Sequence, residues 1–205
     1  MNALYCCFAV IGGYLFGSVS PSYLFSKKKH ENLKEKGTKN LGATNTLLVL
    51  GKGYGAAVML LDILKGFLAV KIAELVFPGA YLAGYLAGCA AVFGHVFPFY
   101  LKFKGGKGLA AFGGFVLGVD WRIFLMLLVL GIILMVIVNY SFIMPFSAAT
   151  LFPILDAIKT KDAYTIAITV VASVLIIVKH WSNAVKAKNG DDFRIRTFIK
   201  EKIFG

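Results

Sequence analysis

The sequence predicts an all-α integral membrane protein with seven transmembrane helices, some of them short. Hydrophobic residues make up 59% of the 205 residues and charged residues only 16%, whereas soluble domains carry about 25% charged residues. The mean hydropathy is +0.78. The long apolar runs do not alternate polar and apolar residues as a β-barrel would, and backbone groups in lipid must be satisfied internally. Helices are therefore the expected spans.

Seven apolar segments divide the chain, and we expect 1–205 to form a single transmembrane domain. About 20 helical residues are needed to cross a bilayer core. The short fourth and sixth segments therefore either extend beyond the bounds given below or span only part of the bilayer. The first segment has no basic residue before it and three lysines after it, which indicates an anchor and not a cleaved signal peptide. The segments are 4–26, 53–73, 81–101, 108–119, 123–139, 143–155 and 163–180.

Basic residues are distributed unequally between the two sides of the predicted bundle. Of the 22 lysines and arginines, seven lie between the first two segments, three between the third and fourth, and seven in the tail. The positive-inside rule then places the N-terminus outside and the C-terminus in the cytoplasm. The net charge of +12 would attract anionic lipid headgroups and anionic substrates to the cytoplasmic face. No motif for nucleic acid accompanies these residues, so we expect no nucleic-acid partner.

The first polar insertion, KGTKNLGATNTLLVLGKG at 36–53, is rich in glycine, asparagine and threonine and contains no acidic residue. Its hydroxyl and amide donors suit hydrogen bonding to an oxyanion. The alternative is a solvated, capped turn that leads into the second span, since asparagine and threonine favour caps and turns. The candidate donors are Thr38, Asn40, Thr44 and Asn45.

Two ionisable residues, Asp62 and Lys65, lie inside the second segment. Such residues are costly in a membrane, usually face a bundle interior and usually pair. Their i,i+3 spacing allows them to meet on one helix face, either as a structural pair or as part of a site. His95 has no acidic residue near it in the sequence, and alone it is more typical of a packed, hydrogen-bonded histidine than of a catalyst.

The turn FKGGKGLA at 103–110 has the glycines and lysine of a phosphate-binding loop. It is not a nucleotide P-loop, because Gly108 stands where serine or threonine must follow the lysine. Consecutive glycines before a helix can nevertheless direct N–H groups and the helix dipole at an anion, and Lys107 adds a charge. The alternative is that Pro98 and the glycines only end one helix and begin the next.

The last polar stretch, at 179–192, contains His180 and Asn183, which share a helix face at i,i+3 spacing. By the predicted topology, this tail, the first loop and the glycine turn all lie on the cytoplasmic surface. We expect a cationic pocket there, suited to a reaction between a phosphorylated molecule and a long apolar chain. Cys6, Cys7 and Cys89 lack metal-binding spacing, and we expect no metal site.

Five motifs together resemble the bacterial acyl-phosphate:glycerol-3-phosphate acyltransferases, the PlsY family, over nearly the whole chain. They occur in the same order as in that family. The motifs are NLGATN (40–45), D-x-x-K-G (62–66), GHVFPF (94–99), GGKG (105–108) and H-x-x-N (180–183).

The resemblance implies transfer of an acyl chain from acyl phosphate to the 1-hydroxyl of glycerol 3-phosphate, which gives lysophosphatidate and phosphate in phospholipid biosynthesis. It implies a monomeric, multi-pass enzyme of the bacterial inner membrane, with no cofactor and a cytoplasmic active site. A substrate phosphate would serve as base. Lys107, His180 and Asn183 would be catalytic and Asp62, Lys65 and His95 supporting. Gly105, Gly106, Lys107 and Gly108 would bind acyl phosphate, and Thr38, Lys39, Asn40, Thr44 and Asn45 the acceptor.

Departures from the family pattern lie mainly in the first loop. Thr38 replaces a serine, Lys39 replaces a glycine, and Leu48 stands where the family carries arginine. Arginine binds phosphate with two parallel hydrogen bonds that leucine cannot make. An acyltransferase paralogue with another acceptor, an anion or phosphate-ester transporter, and a non-catalytic lipid-binding protein are the alternatives. The absence of a visible repeat counts against transport.

Overall fold

The computed structural model describes residues 3–190 and 194–201, and every regular element in these ranges is a helix. The chain divides into two compact units, and the second begins at residue 120. The first unit, 1–119, contains α1 (Ala3–Ser18), α2 (Pro21–Lys28), α3 (Ala43–Leu50), α4 (Lys52–Val76), α5 (Ala83–Val96), a 3₁₀ turn (Phe99–Leu101) and α6 (Leu109–Val119). The second, 120–205, contains α7 (Trp121–Val138), α8 (Ile143–Thr160), α9 (Ala163–Lys188) and α10 (Ile195–Ile199).

All seven apolar segments predicted from the sequence coincide with helices. The segment 4–26 corresponds to α1 and α2, and the short segment 108–119 corresponds to the 11-residue α6. The helix α8 extends five residues beyond the predicted end at 155, and α9 continues to Lys188. The predicted tail stretch 179–192 ends in residues that lie outside the described ranges. The all-α class is confirmed for 3–190 and 194–201.

Within the described ranges, four helical stretches are long and apolar enough to cross a membrane. They are Ala3–Lys28, Ala83–Leu101, Trp121–Val138 and Ala163–Lys188. Large apolar side chains such as Val129, Ile133 and Ile137 are exposed along α7, as expected of a helix that faces lipid rather than water. The total of seven spans and the orientation of the termini remain predictions.

Glycines allow the helices of the first unit to cross closely. A side chain at Gly13 or Gly17 of α1 would collide with the main chain of Ala87 or Ala91 in α5. Gly66 of α4 lies equally close to the main chain of α6. Small residues at such crossings are how helices associate in lipid, where apolar burial supplies little driving force. These contacts hold α5 and α6, and hence the glycine turn between them, against α1 and α4.

The first apolar segment is interrupted at Val19 and Ser20. Ser20 caps α2 by accepting a hydrogen bond from the N–H of Tyr23, and Pro21 occupies the first turn, where its missing N–H costs nothing. Tyr100, which is distant in sequence, bonds to the main chain on both sides of the break. Its hydroxyl donates to the carbonyl oxygen of Ser18 at 3.0 Å and accepts the N–H of Ser20 at 3.1 Å. The interruption is therefore a hydrogen-bonded feature of the fold.

Asp120 caps the N-terminus of α7 in the second unit, and its contribution to stability can be tested. Its pKa is held below the ordinary value because Lys159 Nζ donates to Oδ2 at 2.6 Å, and the N–H groups of Arg122 and Ile123 donate to Oδ1. A folded-state pKa below the unfolded one stabilises the protein above the ordinary aspartate pKa of about 3.9. That stabilisation is lost as the pH falls through the lowered value.

We therefore expect Asp120→Asn to lower the thermal unfolding midpoint at pH 7 and to matter progressively less as the pH falls to 3 and below. Protonated aspartate is then chemically close to asparagine, so the two proteins converge. The check is a pair of melting curves in detergent at each pH. An equal difference between wild type and variant at both ends of this pH range would contradict this account of Asp120.

Candidate active site

Asn45 organises the first polar loop from within. The side chain is 1% exposed, and its Nδ2 donates to the carbonyl oxygens of Leu33 at 2.8 Å and Asn40 at 2.9 Å. Its Oδ1 accepts the N–H of Thr38 at 2.6 Å. The amide thus satisfies loop backbone on both its donor and acceptor sides. Gly37 passes so close to Oδ1 that a side chain there would collide with it.

The other predicted acceptor-binding side chains lie towards the surface of this loop. Thr38, Lys39 and Thr44 are exposed, and Asn40 is half-buried. Lys39 adopts a left-handed backbone conformation with φ of 58°. Leu48 is 36% exposed and follows Thr44 by one helical turn on α3, so the two share a face. The position of the family arginine is therefore accessible and adjacent to a predicted acceptor-binding residue.

Asp62 and Lys65 form the buried pair that their spacing predicts. Lys65 Nζ lies 2.8 Å from Asp62 Oδ1, and the two side chains are 6% and 2% exposed. The ammonium also donates to the carbonyl oxygen of Val19 at 2.7 Å, inside the break between α1 and α2. The pair therefore links α4 to the interrupted first segment.

His95 has an acidic partner that the sequence did not reveal. Its Nδ1 lies 3.3 Å from Asp62 Oδ1, which is a close contact between the ring and the carboxylate. Because a carboxylate only accepts hydrogen bonds, the proton of a neutral imidazole would face it on Nδ1. Asp62, Lys65 and His95, all predicted as supporting residues, are thus in one buried cluster.

The glycine turn folds back onto the C-terminal end of α5. The N–H of Gly105 donates to the carbonyl oxygen of Val96 at 3.1 Å, and that of Gly106 donates to the carbonyl oxygen of His95 at 3.2 Å. Helix ends leave their last carbonyl groups without intrahelical partners, and these two glycines supply partners. In this structure their N–H groups hold the turn in place and do not point towards an anion.

The other predicted phosphate donors of the turn follow the two glycines. Lys107 is half-buried. Gly108 has a φ of 90°, which favours glycine, and its carbonyl oxygen accepts the N–H of Phe112 at 2.8 Å as α6 begins. The first turn of an α-helix exposes N–H groups without intrahelical partners, at the positive end of the helix dipole. The predicted acyl-phosphate site becomes Lys107 together with the N-terminus of α6.

Gly106 is the point where the first loop and the glycine turn meet. A side chain at this position would occupy the space of the His95 ring, at Nε2, and of the carbonyl oxygen of Leu41. Leu41 lies within the NLGATN motif. The predicted acceptor-binding and donor-binding segments are thus in direct contact within the first unit.

The predicted residues His180 and Asn183 lie on α9 in the second unit. His180 is buried, and its Nδ1 lies 2.9 Å from the carbonyl oxygen of Ile176. That contact favours the tautomer with the proton on Nδ1, which leaves Nε2 as the accepting nitrogen. Asn183 Nδ2 donates to Ser141 Oγ at 3.4 Å. The catalytic roles of His180 and Asn183 remain predictions.

Two residues that position predicted site groups were absent from the sequence interpretation. Tyr100 directly follows the GHVFPF motif and satisfies the break in the first segment. Ser141 lies in the short turn between α7 and α8 and contacts Asn183. The available signal was a polar residue beside a motif or in a tight turn, but neither identifies a partner that is distant in sequence. In 3–190 and 194–201, no group of three or more His, Cys, Asp or Glu side chains could hold a metal ion.

Known proteins that resemble this chain include several named glycerol-3-phosphate acyltransferase. The family model described as glycerol-3-phosphate acyltransferase matches residues 7–190. A protein of that name from Mesorhizobium japonicum is 35% identical over 91% of this chain and 94% of its own length. One from Coxiella burnetii is 35% identical over 92% and 97%, and one from a Thermoanaerobacter species is 33% identical over 96% and 100%.

Solved structures agree with the sequence relatives. Crystal structures of PlsY, an integral membrane glycerol 3-phosphate acyltransferase, superpose with a TM-score of 0.86 at 30% identity. The glycerol 3-phosphate form covers 93% of this chain and 95% of that one, and the lysophosphatidic acid form covers 98% and 99%. The chain is therefore an integral membrane enzyme that belongs to the glycerol-3-phosphate acyltransferase (PlsY) family.

Proposed function

We propose that this enzyme transfers a fatty acyl group from acyl phosphate to the 1-hydroxyl of glycerol 3-phosphate, giving lysophosphatidate and inorganic phosphate. The observation that carries the proposal is the contact between the NLGATN loop and the glycine turn at Gly106. Two phosphate-binding segments held together would bring two phosphorylated substrates into reach of each other. The solved relatives in glycerol 3-phosphate and lysophosphatidic acid forms support the same acceptor and product.

The chemistry requires no cofactor, because acyl phosphate is an activated mixed anhydride. The acceptor hydroxyl attacks the acyl carbon, the bond from that carbon to the phosphate oxygen breaks, and phosphate leaves with the bonding electrons. Lys107 and the N-terminus of α6 would stabilise the charge that develops on the leaving phosphate. A substrate phosphate would accept the hydroxyl proton. Proximity of the two bound substrates contributes several kcal/mol.

The setting we propose is the inner membrane of a bacterial cell, with seven spans, an external N-terminus and the site on the cytoplasmic side. The basic residues of the first loop, the glycine turn and the tail support this orientation. We propose a monomer in which 1–205 acts as one acyltransferase domain, since the family model extends over parts of both units. A cytoplasmic site meets soluble glycerol 3-phosphate while the acyl chain stays in lipid.

Leu48, at the position of the family arginine, bears on which acceptor the enzyme uses. A paralogue with another acceptor would also tolerate leucine here, and Lys39 is a candidate replacement charge in the loop. We expect Leu48→Arg to lower the KM for glycerol 3-phosphate about tenfold, because an accessible guanidinium beside Thr44 would bind phosphate through charge-assisted hydrogen bonds. Initial rates at saturating acyl phosphate measure this.

The matched control for this variant is Leu48→Gln, which adds polarity without charge and should leave the KM near that of wild type. An unchanged or higher KM in Leu48→Arg would show that Lys39 already supplies the charge, or that the acceptor has no phosphate. A parallel Lys39→Met variant separates these outcomes. It raises the KM for glycerol 3-phosphate in the first case and leaves the acceptor KM unchanged in the second.

The direct test mixes purified protein in lipid with acyl phosphate and glycerol 3-phosphate. We expect lysophosphatidate to form together with phosphate, and no lysophosphatidate when an acyl thioester replaces acyl phosphate. Phosphate release that is not accompanied by lysophosphatidate would indicate another acceptor. The absence of phosphate release in every mixture would contradict the acyltransferase proposal and favour a transporter or a lipid-binding protein.

A further inference from the structure

The position of the glycine turn depends on His95 in two ways. The carbonyl oxygen of His95 accepts the N–H of Gly106 at 3.2 Å, and the His95 ring fills the space that a side chain at Gly106 would need. Gly106 is buried and Lys107 follows it directly. A rotation of the ring would therefore displace Gly106, and with it the ammonium group and the first turn of α6.

The ring itself is oriented by Asp62. Its Nδ1 lies 3.3 Å from Asp62 Oδ1, and the side chains are 7% and 2% exposed, so water cannot readily replace either group. With Nδ1 beside the carboxylate, the other ring nitrogen, Nε2, lies against Gly106. The carboxylate therefore lies beside the Nδ1 edge of the imidazole, and the Nε2 edge contacts the turn.

Asp62 is in turn linked, through Lys65 on the same helix, to the break between α1 and α2. Lys65 Nζ contacts its Oδ1 at 2.8 Å and donates to the carbonyl oxygen of Val19 at 2.7 Å. A buried ion pair costs desolvation and adds little stability by itself, so its retention in a lipid-facing protein requires another benefit. A second i,i+3 pair on α4, Lys71 with Glu74, is exposed on both sides and has no such contacts to the turn.

We propose that His95, held by Asp62, is a positioning residue that sets the placement of the glycine turn and hence of Lys107 at the acyl-phosphate site. This inference rests on the proposed function and assigns His95 a specific task in it. The ring acts through Gly106 and does not itself contact substrate. Asp62 fixes the ring, and Lys65 fixes Asp62.

The first experiment compares His95→Leu with His95→Asn. Leucine removes the nitrogen that faces Asp62, whereas the asparagine Nδ2 can take the place of Nδ1 as a donor. A displacement of about 1 Å in a reactive group can cost about a hundredfold in rate. We expect His95→Leu to lose between about tenfold and a hundredfold in kcat, with a smaller change in the KM for glycerol 3-phosphate. His95→Asn should recover most of the loss.

The control is His30→Asn, which changes an exposed histidine in the basic loop after α2 and should leave the kinetics unchanged. A His95→Leu enzyme within twofold of wild-type kcat would overturn the proposal. So would a His95→Asn enzyme as impaired as His95→Leu, since the Asp62 contact would then be irrelevant. Melting curves of each variant separate mispositioning from general unfolding.

A double-mutant cycle tests the link to Asp62. If Asp62 acts through His95, the combined Asp62→Asn and His95→Leu variant should be no worse in kcat/KM than the poorer single variant. Glu74→Gln combined with His95→Leu provides the matched cycle on the same helix and should be additive. Additive losses in the Asp62 cycle would contradict the proposal. Should Asp62→Asn fail to fold, Asp62→Asn with Lys65→Met removes both charges of the pair and serves in its place.

Hydrogen exchange gives a measurement that does not depend on activity. The N–H groups of Gly105 and Gly106 are bonded to Val96 and His95, so a displaced turn exchanges them faster. We expect His95→Leu to accelerate exchange in the 103–110 peptide while His95→Asn stays close to wild type. Unchanged exchange in His95→Leu would refute the positioning role. Failure of wild type to form lysophosphatidate would instead refute the proposed function and leave this result standing.

Discussion

Replacing Lys107 with alanine is expected to lower kcat by about 10²–10³-fold, the usual cost of removing one preorganised group that stabilises developing charge. The reason is geometric as well as electrostatic. The N–H groups of Gly105 and Gly106 already donate to Val96 and His95, so in the proposed mechanism Lys107 and the start of α6 stabilise the leaving phosphate. Single-turnover release of phosphate from acyl phosphate measures the loss.

Lys104→Ala is the matched control for this prediction, because it removes the same charge from the same turn at an exposed position. We expect Lys104→Ala to retain wild-type kcat. Activity of Lys107→Ala above half of wild type would contradict the assignment of Lys107 to the leaving phosphate. Equal losses in both variants would show that the turn acts only through its overall charge.

Gly106→Ala is expected to have the second largest effect. The added methyl group would occupy the space of the His95 ring and of the Leu41 carbonyl oxygen, and buried main chain cannot yield as a flexible side chain can. Overpacking of this kind costs about 1–3 kcal/mol of stability. Because the turn must move, we expect kcat/KM to fall at least about tenfold. Melting curves and steady-state kinetics on one preparation measure both.

Gly12→Ala provides the comparison, since a side chain at Gly12 of α1 would have no neighbour within 4 Å. Alanine also favours a helix more than glycine does, so this variant should be as stable as wild type or slightly more stable. Wild-type kinetics in Gly106→Ala would show that the contact between the first loop and the turn is not needed for turnover.

The helices and one buried contact followed from local sequence. Each of the seven apolar segments coincides with helical structure, the first with both α1 and α2. Such segments can be read from the sequence because hydropathy is a property of neighbouring residues. The Asp62–Lys65 pair was predicted from i,i+3 spacing and is confirmed at 2.8 Å. The resemblance to the PlsY family is confirmed by the family model and the solved relatives.

The remaining site contacts join residues that are distant in sequence. The carboxylate of Asp62 reaches His95 only because glycines allow α4, α5 and α6 to pack closely. The interruption at Val19 lies inside a segment that was expected to be one span, although Ser20 and Pro21 together are a helix-start signal. Glycine N–H groups expected to face an anion instead satisfy α5, since a helix end needs partners for its carbonyl groups.

Acyl transfer from acyl phosphate to glycerol 3-phosphate is tested most sharply by the stoichiometry and regiochemistry of the products. Wild-type enzyme in lipid vesicles receives acyl phosphate and glycerol 3-phosphate, and phosphate, lysophosphatidate and the acylated carbon are determined together. We expect one phosphate per lysophosphatidate, with the acyl group on the 1-hydroxyl. Phosphate released without lysophosphatidate, or acylation of a different acceptor in preference to glycerol 3-phosphate, would contradict this expectation.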